Sequence, residues 1–373
     1  MLIRNTAALL SHGNIAGRKA VLDILETGLA AGDPYQNVKD LIRIEGHKLI
    51  IGNDKIKPDL SAGMTPSPDY PPLPERLEFD LREVKNIYLT GGGKAAQRQA
   101  QAIEEILGDR FTEGHINAKK GDEVYLKYCT VTLAGHPLPD EDSVAGARRI
   151  YEIERKAKKG DLIFISESGG GSALMALPAP GITLDDLLEV NQLLYFGCGS
   201  SMPEANAVRN MISVVRGRHA RHCGEATMIH IATPELPPNL KVHLTERPEG
   251  MDSYDYAIYV LRKYDLWEKV SQRVRDFLLR RDPEYSAQNA HDWFDNPRYY
   301  FRVMGPEFML EAAKKRAEEL GLGAHILVSS LSDIEAAPAA DMAAYIAHEI
   351  EINNQPFQAP CVLLMGGECV VTV

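Results

Sequence analysis

The sequence predicts a two-domain α/β protein: a larger, doubly wound, mostly parallel sheet with helices on both faces, and a second, smaller α/β domain. Three observations predict it. From residue 86 to residue 233, short apolar and β-branched runs alternate with runs of helical period. That is the pattern of strands buried on both faces and joined by crossover helices. Two glycine-rich turns, "TGGGKAA" at 90–96 and "SESGGGSA" at 166–173, each fall where a strand run ends and a helical run begins. At Pro234 the texture changes to "PELPPN", a linker or domain edge.

The elements follow in chain order. Residues 3–31 read as two helices broken near Gly13. Residues 57–80 are too rich in proline to supply ladder donors and read as a surface loop or arm. Residues 86–90 form a buried strand; 94–107 form a helix stopped by Gly108; 128–133 form a strand. Residues 144–158 form a helix capped by Asp142 or Ser143, and 161–166 a third strand. Thr183 and Asp186 make a capping-box pattern that opens another helix. Helix 204–215 and strand 227–233 complete the first domain. Beyond it lie an aromatic-rich helical region at 253–280, a helix at 306–320 ended by Gly321, a strand at 325–329, a helix at 340–352 and a strand at 361–365. The final "GGECVVTV" is strand-like.

The 373 residues suffice for a large core and two domains. A 45% hydrophobic and 25% charged composition is that of an ordinary globular protein. The net charge of -11, without a basic block, argues against a nucleic-acid partner and leaves room for a locally held anion. Cys129, Cys198, Cys223, Cys361 and Cys369 show no C-x-x-C spacing, so we expect a reducing compartment and neither a disulfide framework nor a zinc ribbon. The N-terminal run is too polar for a signal peptide, and no apolar run approaches the ~20 residues of a membrane span. The expectation is a cytoplasmic protein with a small-molecule partner.

Parallel sheets bind ligands at the carboxyl ends of their strands. Glycines there let the backbone approach a ligand, and amides at a helix start face an anion. Gly91, Gly92 and Gly93 make one such junction; Gly169, Gly170 and Gly171 make the other. Lys94 sits beside a helix start, where a cation opposes the helix dipole by ~0.3–1 kcal/mol unless an anion lies between them. Ser168 and Ser172 can donate to a phosphate or a carboxylate, or cap a helix. "GGGKAA" also fits the dinucleotide pattern G-x-G-x-x-A, yet "GHINAKK" offers no acid for a ribose, only Lys119 and Lys120 for a 2′-phosphate. The P-loop and the G-x-S-x-G nucleophile elbow are both absent. In "GHPLPDEDS", His136 and Asp140 are the polar candidates, though the loop reads locally as a proline-stiffened turn. In "EANAVRNMIS", Asn206 and Arg209 share a helix face at i and i+3, whereas Glu204 and Arg209 do not. Arg209 can clamp a carboxylate or phosphate, or make an interdomain salt bridge. His219 and His222 in "RGRHARHC" have metal-ligand spacing, but we expect a solvated basic face.

Taken in order, "GGGKAA", "GHPLPDEDS", "SGGGSALMALPAPGITLDD", "EANAVRNMIS" and "LLMGGECVVTV" resemble the motifs of the class II glycerate kinases, the glycerate 2-kinase family whose C-terminal part is the MOFRL domain. The resemblance covers nearly the whole chain. It implies a Rossmann-like larger domain at 1–234, a second domain at 235–373 and a MOFRL-like region beginning near residue 360. It implies ATP-dependent, magnesium-assisted phosphorylation of D-glycerate or a related small hydroxy acid in a cleft between the domains. On that basis Lys94 is the catalytic cation. Gly91, Gly92, Gly93, Gly169, Gly170, Gly171 and Ser172 would hold the nucleotide. Ser168, His136, Asp140, Glu204, Asn206 and Arg209 would meet the substrate, and the metal ligands are unassigned.

Two departures stand out. "RGRHARH" and "IATPELPPNLKVHLTERPEG" replace the family's K-G-G-x-L-A turn and aspartate-rich loops, and the family's G-G-R-N-Q-E-like continuation does not follow "GGE". The expectation is a truncated chain, a second polypeptide that supplies the missing segment, or a catalytically altered relative; an exposed final strand also favours pairing into a homodimer. A non-catalytic nucleotide- or acid-binding protein and an NADP-dependent hydroxypyruvate reductase are the alternative readings.

Overall fold

The structure, a computed structural model, describes residues 2–59, 72–215, 217–234, 251–286, 298–332 and 334–371. Residues 60–71 of the expected arm, Arg216, and 235–250 of the replaced loop lie outside the described residues. The elements in order are α1 (Thr6–Leu9), α2 (Ile15–Ala31), α3 (Pro34–Leu41), β1 (Ile42–Glu45), β2 (Lys48–Ile51), β3 (Leu77–Asp80) and β4 (Ile87–Gly92). Then come α4 (Ala96–Leu107), β5 (Glu113–Lys119), β6 (Thr130–Ala134), α5 (Glu141–Glu154), β7 (Leu162–Ser168), α6 (Gly171–Leu174), α7 (Leu184–Asn191) and α8 (Met202–Arg209). The remainder are α9 (His219–His222), β8 (Thr227–Thr233), α10 (Ser253–Lys263), α11 (Gln272–Arg280), β9 (Arg298–Arg302), α12 (Pro306–Glu319), β10 (Gly323–Leu331), α13 (Ala336–Asn353) and β11 (Cys361–Gly367).

The main sheet has six strands in the order β6-β5-β4-β7-β8-β9, and every neighbouring pair is parallel. The chain winds outward from β4 to β6, returns to β7 beside β4, and winds outward again. The strand order therefore reverses between β4 and β7, the switch point at which doubly wound sheets bind ligands. Alternating side chains show the two covered faces. Thr90 of β4 donates from its hydroxyl to Glu154 of α5 at 3.0 Å, while Ser166 of β7 donates to the Ala96 carbonyl of α4 at 3.0 Å. Thr90 pairs with Ile165, one residue before Ser166, so the two hydroxyls point to opposite faces. Tyr88, Ile163 and Ile165 pack with Ile153 and Ala157 of the α5 segment in one core cluster. Helices α7, α8, α10 and α11 enclose a second, larger core around Leu187, Val208, Leu261 and Phe277.

The chain divides into two compact units. One comprises Met1–Asp33, Pro234–Leu240 and Met304–Val373; the other Pro34–Thr233 and Lys241–Val303. One of its cuts falls between Thr233 and Pro234. β9, which the sequence reading had missed, is the sixth strand of the main sheet, so the region before it belongs to the large unit. In the small unit α2 packs on α12. A Cβ at Gly28 would lie 3.0 Å from the Met309 carbonyl oxygen, so the missing side chain permits that approach. Ile24, Ala313, Ala317 and Ala324 form its core, and β10 and β11 pair in parallel.

Other differences have local causes. Helix α5 begins at Glu141 because Asp140, not Asp142 or Ser143, is its N-cap; Ser143 completes the capping box from the third helical position. The end of the expected arm is not loop. β3 pairs with β2, which pairs with β1, in a three-stranded antiparallel sheet. The Thr183–Asp186 capping box forms as read. Among the described residues no helix is long and apolar enough to cross a membrane.

Candidate active site

The two glycine junctions lie side by side because β4 and β7 are neighbours in register, Gly91 opposite Ser166 and Gly92 opposite Glu167. Their glycines are needed for that contact. A Cβ on Gly91 (φ 147°) would fall 1.9 Å from the Ser166 carbonyl oxygen, and one on Gly93 (φ 143°) 2.1 Å from Ser168 Oγ. At Gly92 it would meet Met175 Cγ at 2.6 Å.

The first junction is latched to the second. The Lys94 N–H donates to the Gly169 carbonyl at 2.9 Å, and the Ala95 N–H donates to Ser168 Oγ at 2.9 Å. These amides at the head of α4 are therefore spent, which corrects the expectation that they stand free for an anion. Ser168 is 7% exposed and serves as the cap of a helix it does not belong to. Its hydroxyl oxygen braces the junction. Gly91, Gly92 and Gly93 likewise let the two strands close rather than offer amides outward.

The second junction stays open. Among the described residues none accepts a hydrogen bond from the N–H of Gly169, Gly170 or Gly171. The loop turns on Gly170, which is left-handed at φ 91°, and is held from below by Asn117, whose Nδ2 donates to the Leu174 carbonyl at 2.7 Å. Asn117 itself fits only because Gly146 has no Cβ; one there would meet its Oδ1 at 2.1 Å.

Cations gather around this open loop. The exposed Lys94 runs its stem past Gly170: a Cβ on Gly170 would lie 3.4 Å from Lys94 Cγ, and 2.8 and 2.9 Å from His136 Cδ2 and Nε2. Burial, together with the charges of Lys94, Lys119 and Arg209, holds the His136 imidazole below its ordinary value. Arg209, 5% exposed, donates to the Tyr195 hydroxyl, and its guanidinium lies 4.6 Å from the centre of the Tyr195 ring. Tyr195 belongs to a π-helical turn, Gln192–Gly197. One turn before Arg209, Asn206 Oδ1 accepts from Ser172 Oγ at 3.4 Å.

Two candidates point elsewhere. Glu204 accepts from Lys263 Nζ at 2.5 Å, from the Tyr264 hydroxyl at 2.7 Å and from Ser201 at 3.0 Å, tying α8 to the end of α10. Asp140 accepts from the N–H groups of Gly135 (3.0 Å) and Ser143 (2.9 Å) and from Lys120 Nζ (2.6 Å). Burial alone would raise its carboxyl; the Lys120 and backbone hydrogen bonds outweigh that and bring it down to about 2. Asp140 thus folds the loop that presents His136. The sequence reading missed Tyr195, for which no local pattern exists, and considered Lys119 only for a 2′-phosphate. Its place at the end of β5 was the available signal.

Most of the expected basic face turns inward: Arg218 and His219 are buried, and Arg221 and His222 are half-buried. His219 and His222 both direct Nδ1 at Glu154, at 2.6 and 3.0 Å, and Arg218 is 2% exposed. Burial would raise the Glu154 carboxyl, but the two imidazoles and their hydrogen bonds hold it well below the usual range. Among the described residues no group of three or more His, Cys, Asp or Glu could hold a metal. Because Asp140 and Glu204 are spent and the groups around the open loop are cationic, the described donors do not fit a protein-held magnesium ion.

Comparison with known proteins agrees with this architecture. Residues 20–279 match the family described as Domain of unknown function (DUF4147). The chain is 32% identical over 366 residues to a glycerate 2-kinase of Pyrococcus horikoshii, covering 94% of this chain and 75% of that protein. It is 30% identical over 291 residues to a D-glycerate 2-kinase of Thermotoga maritima, covering 77% and 67%. A crystal structure of a Pyrococcus horikoshii protein superposes with a TM-score of 0.70 at 29% identity, covering 95% of this chain and 75% of that one. A six-stranded parallel sheet with helices on both faces defines the class, a doubly wound α/β protein. Within that class the chain belongs to the glycerate 2-kinase family.

Proposed function

We propose that the chain is an ATP-dependent kinase acting on D-glycerate or a closely related small hydroxy acid. One observation carries the reading: the open amides of Gly169, Gly170 and Gly171 stand at the sheet's switch point with Lys94, Lys119 and Arg209 around them. Phosphoryl transfer asks a protein mainly to position its reactants and to stabilise charge on the transferred oxygens. Lys94 supplies a mobile point charge at the loop, and Arg209, pre-oriented on Tyr195, supplies a planar one. The amides of residues 169–171 take the remaining negative charge. Magnesium, on this reading, travels on the nucleotide phosphates and not in a protein cage.

The G-x-G-x-x-A match lends little to the NADP-dependent reductase reading, which keeps the support of relatives named putative hydroxypyruvate reductase. The place where a dinucleotide pyrophosphate would need the "GGGKAA" backbone is filled by Ser168 and Gly169. The test is phosphorylation of a panel of small hydroxy acids by ATP, with the chain alone and with any polypeptide encoded beside it, so that a self-sufficient, a completed and a purely binding protein give different results. In parallel, Lys94→Ala should keep the melting temperature of the free protein and lose at least half of the stabilisation that ATP confers. An unchanged ATP response would remove Lys94 from the site.

A further inference from the structure

We propose that His136 is the catalytic base, taking the proton of the acceptor hydroxyl through Nε2 as that oxygen attacks the terminal phosphorus. The inference rests on the kinase reading and adds a residue role to it. The Cδ2–Nε2 edge of the ring lies against Gly170, within the open loop and beside the Lys94 stem. Among the described residues neither ring nitrogen of His136 has a hydrogen-bond partner. The buried histidines nearby contrast with it. His115 is engaged at both nitrogens by Thr130 (2.7 Å) and Thr132 (3.1 Å), and His219 and His222 are bound to Glu154.

The rival bases are occupied. Asp140 holds its own loop and Lys120; Glu204 holds Lys263 and Tyr264; the Ser168 hydroxyl caps α4. The charges that act on the imidazole come from three other elements: Lys94 at the β4 junction, Lys119 at the end of β5 and Arg209 on α8. On its own loop the acid is Asp140, already neutralised by Lys120. Burial first, and these cations after it, hold the imidazole below its ordinary value and so favour the neutral form that a base requires. The step balances. The acceptor O–H breaks and its proton passes to Nε2. The new O–P bond forms, and the bridging P–O bond of the nucleoside triphosphate breaks, its electron pair leaving with the diphosphate.

The experiment compares the full chain with His136→Gln across roughly pH 5 to 9, after matched thermal melts. A base held below its ordinary value makes kcat/KM fall as pH drops through that value. The wild type should show this acid limb; the variant should lose it, with kcat lower by about 10²–10⁴-fold and KM for ATP unchanged. A variant that keeps kcat within about threefold, or keeps the acid limb, overturns the base and leaves the kinase intact. A wild type that phosphorylates no hydroxy acid removes the kinase reading and the base with it. Should the variant fail to fold, NMR titration of the wild-type His136 ring decides. D-glycerate must move its resonances, and a ring indifferent to D-glycerate refutes the assignment.

Discussion

The replacement Gly93→Ala tests whether the glycines serve the close approach of β4 to β7. A Cβ there lies 2.1 Å from Ser168 Oγ and 2.6 Å from the Ser168 carbonyl oxygen, at a φ of 143° that L side chains avoid. Backbone strain costs ~1–3 kcal/mol. Crowding adds ~1–3 kcal/mol, since one of the two contacts is backbone that must move. Displacing Ser168 also breaks the Ala95 N–H to Ser168 Oγ bond, worth ~0.5–1.5 kcal/mol. Gly121→Ala is the control: its φ is 96° and nothing lies within 4 Å, so it carries strain alone. The two variants should differ by about 2–4 kcal/mol. Hydrogen exchange at the β4 and β7 amides reads that difference as protection lower by about 30- to 900-fold in Gly93→Ala than in Gly121→Ala. Equal protection in the two variants would refute the close-approach argument and, with it, the latch between the junctions.

The remaining predictions concern buried and capping carboxylates. Glu154→Gln leaves His219, His222 and Thr90 facing a weaker acceptor in a buried site, and should cost ~3–5 kcal/mol in urea unfolding; a loss below about 1 kcal/mol would show the cluster to be dispensable. Asp140→Ala removes the N-cap of α5 and should cost ~1 kcal/mol at neutral pH. The folded carboxyl sits at about 2 against an ordinary 3.8, so its contribution is complete above 3.8 and is lost as pH falls toward 2. The stability gap between Asp140→Ala and the wild type should close over that window, and a gap independent of pH would contradict the assignment.

Several parts of the site are legible along the chain. The strand-to-helix junctions are local events, written in apolar runs, glycines and capping residues, and β4, β7 and the Thr183 capping box fall where such signals place them. The i, i+3 relation of Asn206 and Arg209 is equally local; in the structure Asn206 meets Ser172 while Glu204 points to Lys263. Other features carry no local signal. β9 reads as polar and aromatic in sequence and becomes a strand because β8 offers a free edge. The basic run at 218–222 looks like a wet surface; His219 and His222 turn inward to Glu154, and Arg218 to the carbonyls of Asn210, Ser213 and Tyr285, partners far from them or unmarked in the sequence.

By itself the sequence determined the alternation of strands and helices, the two glycine junctions, and the family to which their motifs point, because each depends on residues close together in the chain. Only the tertiary structure decided what those junctions do. Pairing β4 with β7 spends the amides of the first on the second and leaves Gly169–Gly171 open. It also decided which charged groups surround the open loop and which are consumed elsewhere. Hydrogen-bond donors and acceptors satisfy whatever folding brings within ~3 Å of them, and that inventory is fixed by strand order and not by distance along the chain.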